Sequence, residues 1–295
     1  MTCSRPALAT ALAATSLLTM CAVATPASAD TVSASAGGAK VVCTSKKPGL
    51  AAQLAHDMAG ALAGREGTSS LALYDRASGT TCGLKADTHF DSASVVKVSV
   101  LGALLRQAEE AQRKLTPHEV ELTTAMITKS DNEATSALWH QIGSAGFKKF
   151  LALAHMDHTV PGTGRSWGLT QITAGDQLRL MQLLTTTTTE NTVLAPSSRS
   201  YALDLMNQVV PGQRWGVPAG SPATATVHVK NGWLPRATDG WRVNSVGAFT
   251  GSGHDYGMVV LSTGNRTMDY GVATVEGAAR LVHRDLAAAA ATASR

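Results

Sequence analysis

The stretch DSASVVKVSVLGALL, residues 91–105, places a serine and a lysine three residues apart at the start of an apolar helix. Residues i and i+3 share a helix face, so Lys97 could reach the hydroxyl of Ser94. A serine hydroxyl is a weak nucleophile at neutral pH and needs a nearby base. The alternative is structural: Ser92 or Ser94 caps the helix, and Lys97 points into solvent. The rest of the sequence decides between these two interpretations.

Residues 1–29 predict a secretory signal peptide. They contain one charged side chain, Arg5, then a long apolar run, then the small residues ASA that end at Ala29. This order of a basic region, an apolar region and a small-residue cleavage site is typical of exported proteins. A membrane anchor is disfavoured because threonine and serine dilute the run. Lipid attachment at Cys21 is disfavoured because the larger Met20 precedes it. We therefore expect cleavage after Ala29 and a secreted protein.

The composition excludes several classes of function. The net charge is +4, or +3 once Arg5 is removed, which is too mild and too scattered for a nucleic-acid-binding protein. With 44% apolar residues the chain can bury a core, and no later run is long enough to span a bilayer. The nine histidines show no paired spacing, so we expect no metal and no cofactor. We also expect a monomer.

The patterns along the chain predict an α/β (α+β) fold. Residues 30–45 are rich in serine, alanine and glycine and predict a disordered leader. An apolar helical stripe, a strand–turn–strand pattern and more than 100 helical residues follow. Capping signals in that helical block include TPHE at 116–119 and TAGD at 173–176. Three alternating strands after Pro218 and a last helix close the chain.

This order of elements predicts one domain, residues 46–295, made of two lobes. We expect one lobe, about residues 46–92 and 214–295, to form an antiparallel sheet flanked by the terminal helices. The second lobe, about residues 93–213, would be all-helical and inserted between strands. Only Cys43 and Cys82 remain after cleavage, so one intramolecular disulfide is available. Export permits such a bond, and we expect it to form; the alternative is two buried thiols.

Two further short patterns accompany the serine and lysine. SDN, residues 130–132, lies between two helical patterns, and KNG, residues 230–232, ends the first strand after the helical block. Taken singly, SDN is also an ordinary turn or cap and KNG an ordinary hairpin turn. Together, in this order and in these settings, the three patterns favour a catalytic site.

With these motifs the sequence resembles the penicillin-recognising serine hydrolases, and most of all the class A β-lactamases, whose signature is S-x-x-K, S-D-N and K-T-G. The resemblance runs from about Lys47 to Ala290. It implies an α/β lobe and an all-helical lobe with the active site between them. The implied ligand is a small β-lactam or a cell-wall peptide.

The resemblance also implies a role for each motif residue. Ser94 would be the nucleophile, Lys97 its base, and Ser130 the group that passes a proton to the leaving nitrogen. The oxyanion hole would be the backbone N–H groups of Ser94 and Trp233. The substrate-binding residues would be Asn132, Lys230, Asn231 and Gly232. Asp131 would tie the turn together.

Two departures from the family pattern affect these expectations. The region 159–176 holds no glutamate to activate a deacylating water, although Arg165 fits the arginine of that loop. Asn231 also replaces a hydroxyl residue after Lys230, which removes one hydrogen bond to a substrate carboxylate. Either Arg236 or Arg242 could compensate, and the sequence does not choose between them.

We therefore predict an exported serine hydrolase that is acylated at Ser94 by β-lactams or related amides or esters and hydrolyses them slowly. One alternative is a D,D-carboxypeptidase or transpeptidase, which uses the same acylation residues. Another is a non-catalytic binding protein on the same fold. His228 shares a strand face with Lys230, and we expect it to be a hydrogen-bonded core histidine.

Overall fold

The computed structural model describes residues 1–2, 29–189 and 193–293, so most of the predicted signal peptide lies outside the described residues. The strands are β1 (Asp30–Ala36), β2 (Ala39–Ser45), β3 (Thr68–Asp75), β4 (Thr80–Leu84), β5 (Phe90–Asp91), β6 (Gln171–Ile172), β7 (Thr226–Arg236), β8 (Gly240–Gly251) and β9 (His254–Asn265). The helices are α1 (Leu50–Leu62), α2 (Val96–Glu110), α3 (Pro117–Thr128), α4 (Asn132–Leu153), α5 (Ala174–Thr185), α6 (Pro196–Asn207) and α7 (Met268–Ala293).

Seven strands form one antiparallel sheet in the order β1-β2-β4-β3-β9-β8-β7. The sheet joins the two ends of the chain because β3 pairs with β9, with Thr68 opposite Thr263. The short strands β5 and β6 form a separate pair beside it. The predicted fold class, an antiparallel sheet with terminal helices and an inserted helical block, is confirmed.

Helices cover both faces of the sheet. Successive side chains of a strand point to opposite faces. Tyr256 on β9 is hydrogen-bonded to His283 of α7 at 2.9 Å, which places α7 on one face. Tyr74 on β3 pairs opposite the next residue, Gly257, and is hydrogen-bonded to Thr185 of α5 at 2.6 Å. The sheet is therefore the central layer, and its inner strands are buried on both sides.

The prediction of a disordered leader at residues 30–45 is wrong. These residues form the β1–β2 hairpin, whose outer strand ends one edge of the sheet. Gly37 and Gly38 both have positive φ and make the two-residue turn that such a hairpin favours. On β2, Val41 and Cys43 alternate with more exposed residues and are fully buried. Serine and alanine here are small strand residues that pack beside α1. Because these residues differ little in hydropathy, the alternation of buried and exposed positions is not visible in the sequence.

Capping residues start two helices of the inserted block, α3 and α5, as predicted. Thr116 accepts a hydrogen bond from the backbone N–H of Glu119, whose carboxylate accepts one from the backbone N–H of Thr116 in return. Thr173 caps α5 by accepting from the backbone N–H of Asp176. These caps satisfy backbone donors that the first helical turn leaves free.

The predicted disulfide is also confirmed. Cys43 on β2 and Cys82 on β4 are directly opposite each other and form the bond. It links the hairpin that the sequence analysis missed to the strands of the main sheet. Within the described parts of the chain, no helix combines the length and hydropathy needed to cross a membrane.

Candidate active site

Ser94 lies in a 3₁₀ turn, Ala93–Val95, directly before α2. Ala93 holds a positive φ of 46°, a conformation that costs a residue with a Cβ and that is found most often at functional sites. Val95 and Val96 are fully buried in the core and so anchor the turn that carries Ser94. Ser94 itself is half-buried and opens into a cavity of about 290 Å³ that Asn132 and Trp233 also line.

Lys97 is completely buried one helical turn after Ser94. Its Nζ donates to the carbonyl oxygen of Ser130 at 2.6 Å, to the hydroxyl of Ser130 at 3.1 Å and to Oδ1 of Asn132 at 2.8 Å. These three acceptors match the three hydrogens of an ammonium group. Among the described residues the hydroxyl of Ser94 is not a hydrogen-bond partner of Nζ. The direct serine–lysine hydrogen bond that the motif suggests is therefore not made in this state.

Ser130 connects two lysines. Its hydroxyl oxygen lies 3.1 Å from Nζ of Lys97 and 3.1 Å from Nζ of Lys230, which is also fully buried. Burial lowers the pKa of Lys97 to about 7, partly opposed by the carboxylate of Asp131. Burial, and then the charge of Lys97, hold the pKa of Lys230 well below its usual range. Neutral amine is therefore accessible near neutral pH at this site.

The SDN turn lies between α3 and α4, as predicted. Ser130 has a positive φ of 58°, which turns the chain between the two helices. Asp131 caps α4 by accepting from the backbone N–H of Ala134 at 2.7 Å, so the structural role predicted for Asp131 is confirmed. Asn132 faces Lys97 with its carbonyl oxygen, and this leaves its NH₂ group as a donor at the Ser94 cavity.

Gly232 brings strand β7 against the nucleophile turn. A Cβ on this residue would lie 2.7 Å from the backbone nitrogen of Ser94 and 2.8 Å from that of Val95. Only glycine permits this approach, and it places the backbone of Ser94 beside that of Trp233. KNG is neither a hairpin turn nor the end of a strand, because β7 continues to Arg236. β7 is also the edge strand of the sheet, on the side of the helical block.

Asn231 does not face the substrate in the predicted way. It is fully buried, and its Nδ2 donates to the backbone carbonyls of Gln213 at 3.0 Å and Trp215 at 2.7 Å. Both amide hydrogens are thus used to hold the segment before β7. The substrate-binding role predicted for Asn231 is corrected to one of fixing this segment, which carries Trp215 against Trp233.

The two candidate arginines, Arg236 and Arg242, differ in burial and in how far their hydrogen-bond donors are already used. Arg242 is buried, and its guanidinium donates to carboxylate oxygens of Asp91 at 3.2 Å and Asp239 at 2.8 Å and to two backbone carbonyls. Arg236 is 44% exposed in its side chain and lies 3.7 Å from the same carboxylate of Asp91. Of the two, Arg236 is the one that retains donors facing solvent.

No carboxylate lines the Ser94 cavity in the described part of the chain. Glu133 instead lines a neighbouring cavity of about 1020 Å³ between α4 and the segment 161–167. Arg165 is exposed and borders both cavities. Where the family pattern expects a glutamate, the structure places Trp167, whose ring centroid lies 4.9 Å from Nζ of Lys97.

The structure adds contacts that the motifs did not indicate. Trp167 covers Lys97, and Asn244 on β8 donates to the backbone carbonyls of Asp91 at 2.9 Å and Ser92 at 3.3 Å, just before the nucleophile. The only sequence signal for Trp167 was its place after Arg165. Asn244 had one available signal: it is a polar residue within a predicted strand.

His228 is a hydrogen-bonded core histidine, as predicted. Its ring nitrogens are hydrogen-bonded to the carbonyl of Leu203 at 2.8 Å and to the hydroxyl of Thr250 at 2.9 Å, and burial lowers its pKa. Within the described ranges no group of three or more histidine, cysteine, aspartate or glutamate side chains is arranged to hold a metal ion.

The fold is that of the penicillin-recognising serine hydrolases. A model described as the Beta-lactamase enzyme family matches residues 53–123 and 119–286, so the chain belongs to this family.

Individual proteins are also similar to this chain, in sequence or in fold. The chain is 28% identical over 203 residues to "Putative lipoprotein LppW" of Mycobacterium tuberculosis and of Mycobacterium bovis, which covers 66% of this chain but only 63% of those relatives. A class A β-lactamase from Bacteroides cellulosilyticus superposes with a TM-score of 0.69 at 15% identity, over 80% of this chain and 98% of that one. A point mutant of PBP-A, in an acyl-enzyme complex with penicillin-G, gives 0.64 at 20% identity, over 75% and 90%.

Proposed function

We propose that this protein is an exported active-site serine hydrolase that β-lactams, or related amides and esters, acylate at Ser94. The observation that carries the proposal is the hydrogen-bonded group Lys97–Ser130–Lys230 beside the cavity that Ser94 lines. Burying two amines costs stability, so their presence here needs a functional reason. Two such amines around one hydroxyl are suited to moving protons. Export rests on the predicted signal peptide.

Acylation would begin when Lys97 loses a proton. The ammonium form uses all three hydrogens on Ser130 and Asn132, whereas the neutral amine has a lone pair. That lone pair takes the hydroxyl proton of Ser94, which lies on the same helix face one turn earlier. The serine oxygen attacks the carbonyl carbon, and the backbone N–H groups of Ser94 and Trp233 stabilise the oxyanion.

Collapse of the tetrahedral intermediate would break the carbon–nitrogen bond. Ser130 gives its proton to the leaving nitrogen and regains one from Lys97. Once Lys97 is neutral, its charge no longer opposes protonation of Lys230. The protonated form of Lys230 favours the ionised form of Ser130 and attracts a substrate carboxylate, and the exposed Arg236 is the arginine free to assist. The NH₂ group of Asn132 donates to the amide side chain of the substrate.

Hydrolysis of the acyl-enzyme would be slow. The Ser94 cavity has no carboxylate among its described lining residues to act as base for water. The same property supports a second candidate, a D,D-carboxypeptidase or transpeptidase, in which an acyl group waits for an acceptor. The resemblance in fold to PBP-A, seen as a penicillin-G acyl-enzyme, is compatible with either.

Intact mass spectrometry after incubation with penicillin G tests the proposal. We expect one adduct per chain on the wild type and none on Ser94→Ala, which should keep its fold by circular dichroism. A folded wild-type protein that forms no adduct would indicate a non-catalytic binding protein. Release of D-alanine from a D-Ala-D-Ala peptide would favour the carboxypeptidase, and rapid turnover of penicillin would contradict slow hydrolysis.

A further inference from the structure

Trp167 is fixed against the catalytic lysine from two sides. It begins a 3₁₀ turn, Trp167–Leu169, whose backbone N–H of Thr170 bonds back to the carbonyl of Trp167 at 3.1 Å. Its indole N–H donates to the hydroxyl of Ser136 on α4 at 3.1 Å. The half-buried ring is thus held over Nζ of Lys97, with 4.9 Å between the nitrogen and the ring centroid.

The ring completes the surroundings of Lys97. Three oxygens of Ser130 and Asn132 take the hydrogens of the amine, and the aromatic face covers another side. A cation over a tryptophan face is attracted to the electron-rich face of the ring. The ring therefore favours the orientation in which Lys97 points to Ser130.

Trp167 also forms part of the wall between two cavities. Its side chain lines the cavity of about 290 Å³ that contains Ser94 and the cavity of about 1020 Å³ along α4. The indole ring therefore stands between the larger cavity and the buried Nζ of Lys97. No carboxylate is among the described lining residues of the smaller cavity. Asn132 and Trp167 both line it and both contact Nζ of Lys97, so this buried amine lies behind the cavity wall and is a group that could take a proton from water.

We propose that Trp167 is a positioning residue that sets the lifetime of the acyl-ester on Ser94 by keeping water away from the amine of Lys97. This inference rests on the proposed function. In the step that the ring restrains, a water oxygen attacks the ester carbonyl and its proton passes to the Lys97 amine. The bond to the Ser94 oxygen then breaks, the serine takes the proton back, and a free carboxylic acid leaves.

The test measures acylation and deacylation separately by intact mass, with penicillin G as the probe. The wild-type adduct is formed, excess penicillin is removed, and the fraction acylated is followed in time. We expect Trp167→Ala to shorten the adduct half-life at least tenfold, which corresponds to about 1.4 kcal/mol of barrier. Trp167→Phe keeps an aromatic face over Lys97, so its half-life should stay within about twofold of the wild-type value. Trp241→Phe, a substitution on β8 outside both cavities, is the matched control and should leave the half-life unchanged.

Ser136→Ala provides a second route to the same answer if Trp167→Ala does not fold. It removes only the anchor of the indole and should shorten the half-life in the same direction. Unchanged or longer half-lives in both variants, with normal melting temperatures, would overturn the role of Trp167 alone. Absence of any wild-type adduct would overturn the proposed function and this inference together.

Discussion

Replacing Gly232 by alanine tests whether contact between strand β7 and the nucleophile turn is required for activity. The new Cβ would lie 2.7 Å from the nitrogen of Ser94, 2.8 Å from the nitrogen of Val95 and 2.9 Å from the carbonyl oxygen of Ser92. Ordinary contact begins at 3.4 Å, so the overlaps are 0.5–0.7 Å. All three atoms belong to the backbone, and no side chain can rotate away to relieve them.

The overlap must therefore move the strand or the turn that carries Ser94. Overpacking of this kind costs about 1–3 kcal/mol of stability. A displacement approaching 1 Å at a reacting centre lowers the rate by roughly 10²-fold. We expect Gly232→Ala to lower the melting temperature by several degrees and the acylation rate by about two orders of magnitude, measured as the time course of penicillin G adduct formation.

Gly277→Ala on α7 is the matched control. A Cβ there has no neighbour within 4 Å, and alanine is favoured over glycine in a helix by about 0.5–1 kcal/mol. This variant should acylate at the wild-type rate and melt slightly higher. Wild-type acylation by Gly232→Ala, with an unchanged melting temperature, would refute the idea that the close approach positions Ser94.

Three other predictions concern the base, the segment before β7 and the disulfide. The acylation rate should rise with pH through about 7 and then level off, because burial lowers the pKa of Lys97 to about 7 and its neutral form is the base. Lys97→Ala should acylate orders of magnitude more slowly. Asn231→Ala removes the donors to two part-buried carbonyls and should cost about 1–3 kcal/mol in urea unfolding. Replacing both Cys43 and Cys82 by alanine opens a loop with a sequence separation of 39 and should cost about 4 kcal/mol by the same measurement.

Much of the fold could be predicted because its signals are local. The capping box at Thr116 and the apolar stripe of α1 depend on spacing within one or two turns. The β1–β2 hairpin could not be found in the same way. Its strands are made of small residues, and their burial comes from the neighbouring helix and strands and not from strongly apolar side chains. Composition alone suggested disorder there.

In the candidate site, too, local patterns could be predicted and contacts between distant residues could not. Motif spacing named the residues that the structure brings together, including Ser130 between Lys97 and Lys230. It could not reveal that Asn231 turns toward the segment before β7 or that Asp91 binds Arg242, because the partner residues lie 16 and 151 positions away in the sequence. The contact of Trp167 with Lys97 is of the same kind.

The pairing of β3 with β9 joins residues 68 and 263, and this has a consequence for how activity arises during folding. Contacts between such distant positions form late, because the entropy of closing a long loop must be overcome first. Lys230 on β7 is held in the sheet through β8, which pairs with β9, so its contact with Ser130 requires the whole row of strands to be in place. Incompletely folded chains would therefore not react. Under the proposed function, the fraction of chains acylated by penicillin would measure the fraction that has completed folding.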